Sequence, residues 1–401
     1  MTGASILISG AGIAGPTLAY WLLQQGITPT LVEKALRPRT GGYVIDFWGL
    51  GYEVAGKMGL LPMLNREGYD VQELRLVDGD GRRVGGFDAE VFRSLTGGRY
   101  LSIARSELAR LLYDRITNRC EVMFGDSVAG IDDDGAGVDV AFQNAPERRF
   151  DAVIGADGLH SEVRELVFGP EKRFEKYLGY IVAAFQAQGY RPRDELVYVS
   201  YAIPGRQVAR FAMREDRTMF LFVFAADRPP DVDAHDLAAQ KALLHATFRD
   251  AGWECPQILA ALDATDDLYF DRVSQIHMPS WSKGRVALVG DAGFCPSLLA
   301  GQGSALAMGA AYVLAGEMGR SRAGPQAFHS YETLLRPLIA AKQDAARQFA
   351  SGFAPKTRWG VILRNHVTKA FSIPLVAKMA MGSSLIDRVA VPDYDWGGNP
   401  G

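Results

Sequence analysis

Three glycines near the N-terminus have the spacing of a phosphate-binding loop. Gly10, Gly12 and Gly15 form the pattern G-x-G-x-x-G, with Ile13 and Ala14 before the last glycine. The pattern predicts a tight turn at the first glycine, a close approach of backbone to a pyrophosphate at the second, and helix-on-strand packing at the third. A helix that starts here would offer free N–H groups and a partial positive charge to the anion.

An acidic residue further along supports a dinucleotide site. Glu33, followed by Lys34, ends a predicted strand over 30–32, where a carboxylate can accept hydrogen bonds from ribose hydroxyls. The alternative is a glycine-rich turn in an unrelated sheet. The strand–helix–strand context and the acid favour the dinucleotide site, although this motif alone does not distinguish FAD from NAD(P).

A second acidic motif follows another predicted strand, over 285–289. Asp291 comes directly after Gly290, at the strand end where open α/β sheets bind ligands, and can bind a sugar-alcohol chain. Gly301, Gln302 and Gly303 then open a predicted helix over 304–317, whose N-terminus would stabilise the anion of a reduced flavin. The alternative is a strand–loop–helix in which the Asp caps a turn.

A third motif, Asp157-Gly158, follows a predicted strand over 150–154 and precedes Ser161 and Arg164. Taken alone, Ser161 is equally well interpreted as a helix cap, with Arg164 as ordinary surface charge. Three such motifs in this order are harder to explain as separate structural features.

The rest of the chain supplies the elements that position these motifs. Strands over 5–9 and 30–32 flank a helix over 16–25, a hairpin is predicted over 71–84, and a helix over 105–119. From 177 to 225, aromatic and β-branched residues alternate with period two, which indicates an antiparallel sheet with one face open to a ligand. Beyond 325 the pattern is helical to about 387, followed by a Gly- and Pro-bearing tail.

Composition excludes several classes of protein. The chain has 401 residues, a length that suits two domains, and its net charge of −3 argues against a nucleic-acid partner. The three cysteines and six histidines lack metal-ligand or disulfide spacing. No run of apolar residues is long enough to predict a membrane span. We expect a cytoplasmic protein that is a monomer or a weak dimer.

The three motifs resemble those of the single-component FAD-dependent aromatic hydroxylases, the fold family of p-hydroxybenzoate hydroxylase. Within that family the chain is similar to the branch of tetracycline-inactivating monooxygenases, over residues 1 to about 350. The resemblance implies an α/β fold: a Rossmann-like FAD-binding domain, an inserted mixed or antiparallel β-sheet substrate domain and C-terminal helices. The expected bounds are 1–70, 98–172 and 272–325 for the FAD-binding domain, 71–97 and 173–271 for the substrate domain, and 326–401 for the helical segment.

The resemblance also assigns roles to residues. Glu33 would hold the adenosine ribose, Asp291 the ribityl chain, and Arg105 the ribityl–phosphate region. Gly42, with Asp46, would lie in a mobile segment beside the isoalloxazine ring, and Asp157 would serve both FAD and NADPH. The remaining expected cofactor residues are Gly10, Gly12, Ile13, Ala14, Gly15, Lys34, Val128, Gly301, Gln302 and Gly303. The chain departs from the usual family pattern at Phe294, Pro296, Leu298 and Ala305.

Two motifs that are missing from the sequence restrict the mechanisms that we expect. No second G-x-G-x-x-G occurs, since Gly135-x-Gly137 has no third glycine, so NADPH or NADH would bind transiently and reduce the FAD. The absence of W-x-W-x-I-P disfavours flavin halogenases. We expect oxygen insertion from O2 into an aromatic or polycyclic substrate, such as a natural product, through a flavin C4a-hydroperoxide, with the chemistry carried by the flavin. The alternatives are an FAD dehydrogenase or reductase without oxygen insertion, and a non-enzymatic flavin module.

Three further sets of residues carry two interpretations each. Phe185, Arg210, Met213 and Phe222 are candidates for lining a substrate site, although core or surface positions are the favoured interpretation. Arg37 and Arg39 either meet the 2′-phosphate of NADPH or, the favoured interpretation, are solvated loop charges. The basic and apolar stretch 356–388 is interpreted as a helix that braces the domains, with contact to a membrane surface as the alternative.

Overall fold

The computed structural model describes residues 4–38, 43–321, 323–371, 376 and 392–396. The strands are β1 Ile6–Ser9, β2 Thr30–Glu33, β3 Val44–Trp48, β4 Glu73–Val77, β5 Arg83–Asp88, β6 Tyr100–Ala104, β7 Glu121–Phe124, β8 Val128–Asp133, β9 Val138–Phe142, β10 Arg148–Phe150, β11 Ala152–Gly155, β12 Glu175–Gln188, β13 Val197–Ile203, β14 Arg206–Ala212, β15 Arg217–Ala225, β16 Tyr269–Ile276, β17 Ser282–Lys283 and β18 Val286–Leu288. The helices are α1 Ala14–Gln24, α2 Leu50–Lys57, α3 Leu61–Glu67, α4 Glu90–Thr96, α5 Arg105–Asp114, α6 Glu162–Phe168, α7 Leu237–Phe248, α8 Cys255–Asp263, α9 Asp291–Phe294, α10 Gly303–Ser321, α11 Pro325–Phe353 and α12 Arg358–Ala370.

The first sheet brings the three sequence motifs to one edge. Its strand order is β17-β18-β11-β1-β2-β7, and β18, β11, β1, β2 and β7 run parallel. The residues of β1 and β11 are all buried, as in a parallel sheet covered on both faces. Since parallel strands end at the same edge, Gly10, Asp157 and Asp291 follow three neighbouring strands there. The predicted strand–helix–strand opening is confirmed.

The second sheet, which we call the cavity sheet, has the order β16-β12-β15-β14-β13-β4-β5. Its pairs are antiparallel except β13 with β4, which confirms the antiparallel sheet predicted from 177 to 225. One face packs against α7 and α8 in an apolar core that contains Phe220, Leu244 and Phe248. The opposite face, with Tyr198, Ser200 and Leu221, points into the interior of the molecule.

The four candidate substrate residues lie on the cavity sheet or at the end of one of its strands. Phe185 and Phe222 lie in the core against α7 and α8, and Arg210 is bonded on that same face to Asp194 and Glu254. Met213 is buried in a separate apolar cluster. None of the four residues lines the cavity, so their assignment as lining residues is wrong and the favoured alternative is right. Side chains alternate along a strand, and Phe185, Arg210 and Phe222 lie on the face away from the cavity, whereas Met213 follows the end of β14 and is enclosed by its own cluster.

The remaining elements complete a mixed α/β fold, as predicted. Strands β10, β9 and β8 form an antiparallel sheet, and β3 pairs with β6 in a two-stranded antiparallel sheet. Helix α10, with its interior almost wholly buried, packs against α1, α2 and α11. The helical character predicted beyond 325 is confirmed by α11 and α12, and the predicted stretch beyond 371 lies almost entirely outside the described residues. None of the helices in the described ranges is long and apolar enough to cross a membrane.

Candidate active site

The glycine loop between β1 and α1 forms one end of a large cavity. Gly10 has φ +106°, and a Cβ there would lie 2.5 Å from the carbonyl oxygen of Ala156. A Cβ on Gly15 would lie 1.9 Å from the carbonyl oxygen of Gly10. A Cβ on Gly12 would meet nothing within 4 Å, so this residue faces open space beside the N-terminus of α1. This arrangement fits a pyrophosphate against Gly12.

Glu33 ends β2 next to this loop, and backbone groups hold its carboxylate. Oε2 accepts a 2.8 Å hydrogen bond from the N–H of Ala11, and Oε1 accepts a 3.0 Å bond from the N–H of Ala35. Glu33 lines the cavity. Each oxygen has a second lone pair, so the carboxylate is oriented and can still accept from a ribose hydroxyl.

Asp291 begins α9 after Gly290, whose φ of +69° turns the chain away from β18. Burial raises the pKa of Asp291, whereas Arg105 and a hydrogen bond with Cys295 lower it. Gly301 has φ +66° and Gly303 starts α10, and both residues line the cavity close to Asp291. A carboxylate and a helix N-terminus therefore face the same space.

Arg105, the first residue of α5, brings a positive charge to this space. Burial lowers the pKa of its guanidinium, but Tyr43, Asp291 and Tyr269 outweigh burial and raise it. The side chain forms no hydrogen bond or ion pair with any residue that the structure describes. A partly buried guanidinium without a hydrogen-bond or ion-pair partner is expected to bind an anionic or polar group of a ligand.

Asp157 lines the cavity, and its carboxylate also caps α6. It accepts a 2.6 Å hydrogen bond from the Ser161 hydroxyl and a 3.1 Å bond from the N–H of Val163. Ser161 caps the same helix through the N–H of Arg164. Arg164 is fully buried and donates to the carbonyls of Ala292 and Leu159, so it is not the surface charge of the alternative interpretation.

His160 connects this motif to β16, a contact that the sequence does not indicate. Its Nδ1 lies 3.0 Å from Glu171 and its Nε2 lies 3.3 Å from Asp271. The two carboxylates, Asp271 first, raise the pKa of His160 to about 9. The ring is therefore an imidazolium at neutral pH, bridging two carboxylates at the edge of the cavity.

Asp46 on β3 lines the cavity, and β3 contacts the cavity sheet through Val44 and Met219. Its Oδ1 accepts a 2.7 Å hydrogen bond from the Tyr100 hydroxyl and a 2.6 Å bond from the Ser102 hydroxyl. Burial raises the pKa of Asp46, and these two bonds oppose the shift. Tyr100 and Ser102 were not predicted, because their pairing with Asp46 depends on the β3–β6 register.

The face of the cavity sheet that lines the cavity carries a few polar side chains among apolar ones. The Ser200 hydroxyl is buried and forms no hydrogen bond with the described residues. Gln207 is also buried and accepts a 2.7 Å hydrogen bond from Arg364 of α12. Burial lowers the pKa of Arg364 to about 10. Met219 and Leu221 supply apolar wall beside them.

One continuous cavity of about 1100 Å³ extends from the glycine loop past Asp46 to Ser200 and Gln207 on the cavity sheet. It exceeds the roughly 300–1000 Å³ of a pocket for one drug-sized molecule, so it has room for a large cofactor. The predicted cofactor residues in its wall are Gly10, Gly12, Ile13, Ala14, Glu33, Lys34, Asp46, Arg105, Asp157, Asp291, Gly301, Gln302 and Gly303.

The other predicted site residues lie elsewhere. The position of Gly15 is explained by packing, and the Val128 side chain lies in the core, although its neighbours Asp126 and Ser127 line the cavity. Gly42 and Arg39 lie outside the described residues. Arg37 is not part of the cavity wall, although the adjacent Pro38 is.

Comparisons with known proteins agree with this geometry. A family model described as an FAD binding domain matches residues 3–346. A flavin-dependent monooxygenase from an unknown prokaryotic organism is 33% identical over 393 residues, which cover 97% of this chain and 98% of that protein. A flavin-dependent monooxygenase of Legionella longbeachae serogroup 1 (strain NSW150) is 31% identical over 402 residues, which cover 97% and 98%.

A solved structure is similar over the same length. The crystal structure of tetracycline destructase Tet(55) superposes with a TM-score of 0.83 at 30% identity, covering 98% of this chain and 99% of that chain. The motifs, the cavity and the matches over most of the chain agree with one another. This chain belongs to the family of the FAD binding domain and is a flavin-dependent monooxygenase.

Proposed function

We propose that the enzyme uses NADPH or NADH to reduce its FAD and inserts one oxygen atom of O2 into an aromatic or polycyclic substrate, while the other oxygen atom leaves as water. The observation that carries this proposal is the continuity of the cavity from Gly12 to Ser200 and Leu221 on the cavity sheet. A cofactor bound at the glycine loop and a substrate bound on the sheet would share one enclosed space. FAD, when bound, accepts hydride and activates oxygen.

Several residues would hold the cofactor. Gly12 and the N-terminus of α1 would meet the pyrophosphate, and Glu33 the ribose. Arg105 and Asp291 would contact the chain between the phosphate and the ring. Val128 would contribute through its backbone, as would Gly42, and Asp157 would serve FAD and the nicotinamide cofactor.

The substrate part of the cavity favours a flat ring system with a few polar substituents. Leu74, Leu76, Met219 and Leu221 provide apolar wall that excludes water. Ser200 and Gln207 would orient substrate oxygens, and Arg364 favours an enolate or phenolate oxygen over a cation. The name of the Tet(55) structure says that it acts on tetracycline, which is a polycyclic compound of this kind.

The transient use of NADPH or NADH is supported by the single G-x-G-x-x-G, which leaves no second dinucleotide fold in the sequence. The division into FAD-binding, substrate and helical domains expected from the sequence is part of the same proposal, because it separates the glycine loop from the cavity sheet.

The test is product analysis under heavy-isotope oxygen. Purified enzyme is incubated with NADPH and a panel of phenols, tetracyclines and other polyketides, and the products are examined by mass spectrometry. One heavy oxygen atom in a product, with matching NADPH oxidation, supports oxygen insertion. If NADPH oxidation is accelerated by a bound panel member while all the oxygen appears as hydrogen peroxide, the insertion step is wrong.

A further inference from the structure

Helix α12 exposes apolar side chains along one face. Trp359 is 80% exposed and Leu363 is 65% exposed, and Ile362 and Val367 are also exposed. Positions 359, 362, 363 and 367 lie on one stripe of a helix. Among the described residues, most of the exposed large apolar side chains lie in this stripe, which we call the α12 face.

The opposite side of α12 packs against the protein. Thr368 is buried, its hydroxyl accepts a 3.2 Å hydrogen bond from the N–H of Gly86 on β5, and Arg364 bonds to Gln207 on β14. The helix is thus anchored through one side, and the α12 face is left without a partner among the described residues.

The charged residues of α12 itself all carry the same sign. Residues 355–371 contain no Asp or Glu, whereas Arg358 and Lys369 lie at the two ends of the helix. Neither side chain forms an ion pair with a described residue, and Lys356 bonds to Asp227. This pattern, with exposed tryptophan and leucine between cations, is typical of helices that lie in the interface of an anionic bilayer.

We propose that the α12 face docks this enzyme on the surface of an anionic lipid membrane. A second copy of the chain is a poorer occupant, because antiparallel pairing of two α12 helices would bring Arg358 of one against Lys369 of the other. Leu363 and Val367 belong both to the α12 face and to the cavity wall. Docking would therefore place the lipid beside the cavity, a route for apolar substrates that rests on the proposed function.

The test is co-sedimentation of the full-length enzyme with lipid vesicles. We expect binding to vesicles with roughly one-third phosphatidylglycerol, little binding to pure phosphatidylcholine, and loss of binding at high salt. Trp359 is the one exposed tryptophan of the six, all of which are described, so its fluorescence should shift to the blue on binding.

Four variants distinguish the apolar and the charged contributions to binding. W359S/I362S removes apolar side chains outside the cavity wall and should abolish the blue shift and the binding. R358E/K369E should lower the partition coefficient by about fivefold or more for each charge, whereas R358K/K369R should retain it. L36S, at an exposed leucine on another surface, is the matched control and should bind as the wild type does.

Retained flavin absorbance in each variant shows that the fold is intact. The proposal is overturned if the wild type does not sediment with anionic vesicles at low salt, or if W359S/I362S binds as well as L36S. It is also overturned if the wild type forms dimers that W359S/I362S abolishes, since the α12 face would then join two copies. None of these outcomes affects the test of oxygen insertion.

Discussion

A Cβ on Gly15 would lie 1.9 Å from the carbonyl oxygen of Gly10. The two residues lie at the turn between β1 and α1. Any side chain at position 15 would clash with the backbone of Gly10 unless the helix moved away from the strand. Gly12 lies between them in sequence, yet a Cβ there would meet nothing within 4 Å. Packing therefore requires the first and third glycines, whereas access to the cavity explains the second.

This difference predicts opposite phenotypes for two matched variants. Gly15→Ala should lower the thermal unfolding temperature and the yield of folded protein, because the methyl group clashes with backbone. Gly12→Ala should leave the stability of the FAD-free protein within about 0.5 kcal/mol and weaken FAD binding by about tenfold or more. Thermal unfolding and FAD titration check both. Equal losses of stability in the two variants would contradict this interpretation of the loop.

Arg105 should contribute to cofactor binding more than to folding. Arg105→Gln removes a guanidinium that has no hydrogen-bond partner among the described residues, so the FAD-free enzyme should keep its stability. FAD affinity should fall about tenfold to a hundredfold, as for a lost charge-assisted hydrogen bond. Arg110→Gln, on the exposed side of α5 where Arg110 pairs with Glu107 and Asp114, is the control and should leave the affinity unchanged. Isothermal titration of both variants with FAD measures the two affinities, and equal affinities would contradict this role for Arg105.

Asp46 should make the stability of the FAD-free enzyme depend on pH. Burial raises its pKa, so the folded state binds a proton more tightly than the unfolded state does. This stabilisation is complete below the ordinary Asp pKa and is lost as pH rises through the raised pKa. Asp46→Asn keeps an oxygen for Tyr100 and Ser102, so the variant should gain stability over the wild type as pH rises through that window. Urea unfolding across pH measures the difference, and a gain that does not grow with pH would exclude this role for Asp46.

His160 should show a pH dependence in a higher window. Its pKa is raised from 6.5 to about 9 by Asp271 and Glu171, so its stabilisation is complete below 6.5 and is lost as pH rises toward about 9. His160→Gln should therefore be less stable than the wild type at pH 6.5 and equally stable above pH 9. The free energy of unfolding at several pH values tests this, and a deficit that is constant across the window would contradict it.

Ser200 should affect substrate binding without affecting the cofactor. Ser200→Phe replaces a small side chain in the cavity wall with a ring, so FAD content should stay at the wild-type level while the substrate Kd rises by about tenfold or more. Tyr201→Phe, one position along on the opposite face, is the control. It removes the hydroxyl that accepts a 3.3 Å hydrogen bond from the N–H of Gly252, so it should change stability and leave the substrate Kd unchanged. Substrate titration of both variants decides, and a loss of FAD in Ser200→Phe would show that Ser200 lies at the cofactor.

The cofactor end of the cavity could be predicted from the sequence because its signals are local. Gly10, Asp157 and Asp291 each come within three residues of the end of a buried strand, and parallel strands end at one edge. Arg105 has no local signal of this kind, and only the family resemblance pointed to it. Its contact with the cavity depends on the packing of α5 against α1, α3 and β6.

The part of the cavity wall that would contact substrate could not be predicted from the sequence. The period-two alternation of side chains defines two faces of a sheet, but it does not say which face is covered by helices. Phe185 and Phe222 were candidates for a substrate site, yet both lie in the apolar core, where Phe222 packs against Phe248 of α7. The apolar residues of α7 and α8 could have identified the covered face, because they must pack against an apolar surface and the aromatic face of the sheet provides one. By elimination, the face with Ser200 and Tyr198 lines the cavity. Asp271 lies 111 residues after His160, so no spacing pattern could join it to His160 and Glu171.

The central claim is that one FAD occupies the cavity between the glycine loop and the cavity sheet. The most direct measurement is the visible absorbance of the purified chain, with flavin released by heat and identified by chromatography. We predict a yellow protein with one FAD per chain, or full reconstitution by added FAD. A colourless protein that does not bind FAD in titration would contradict the account.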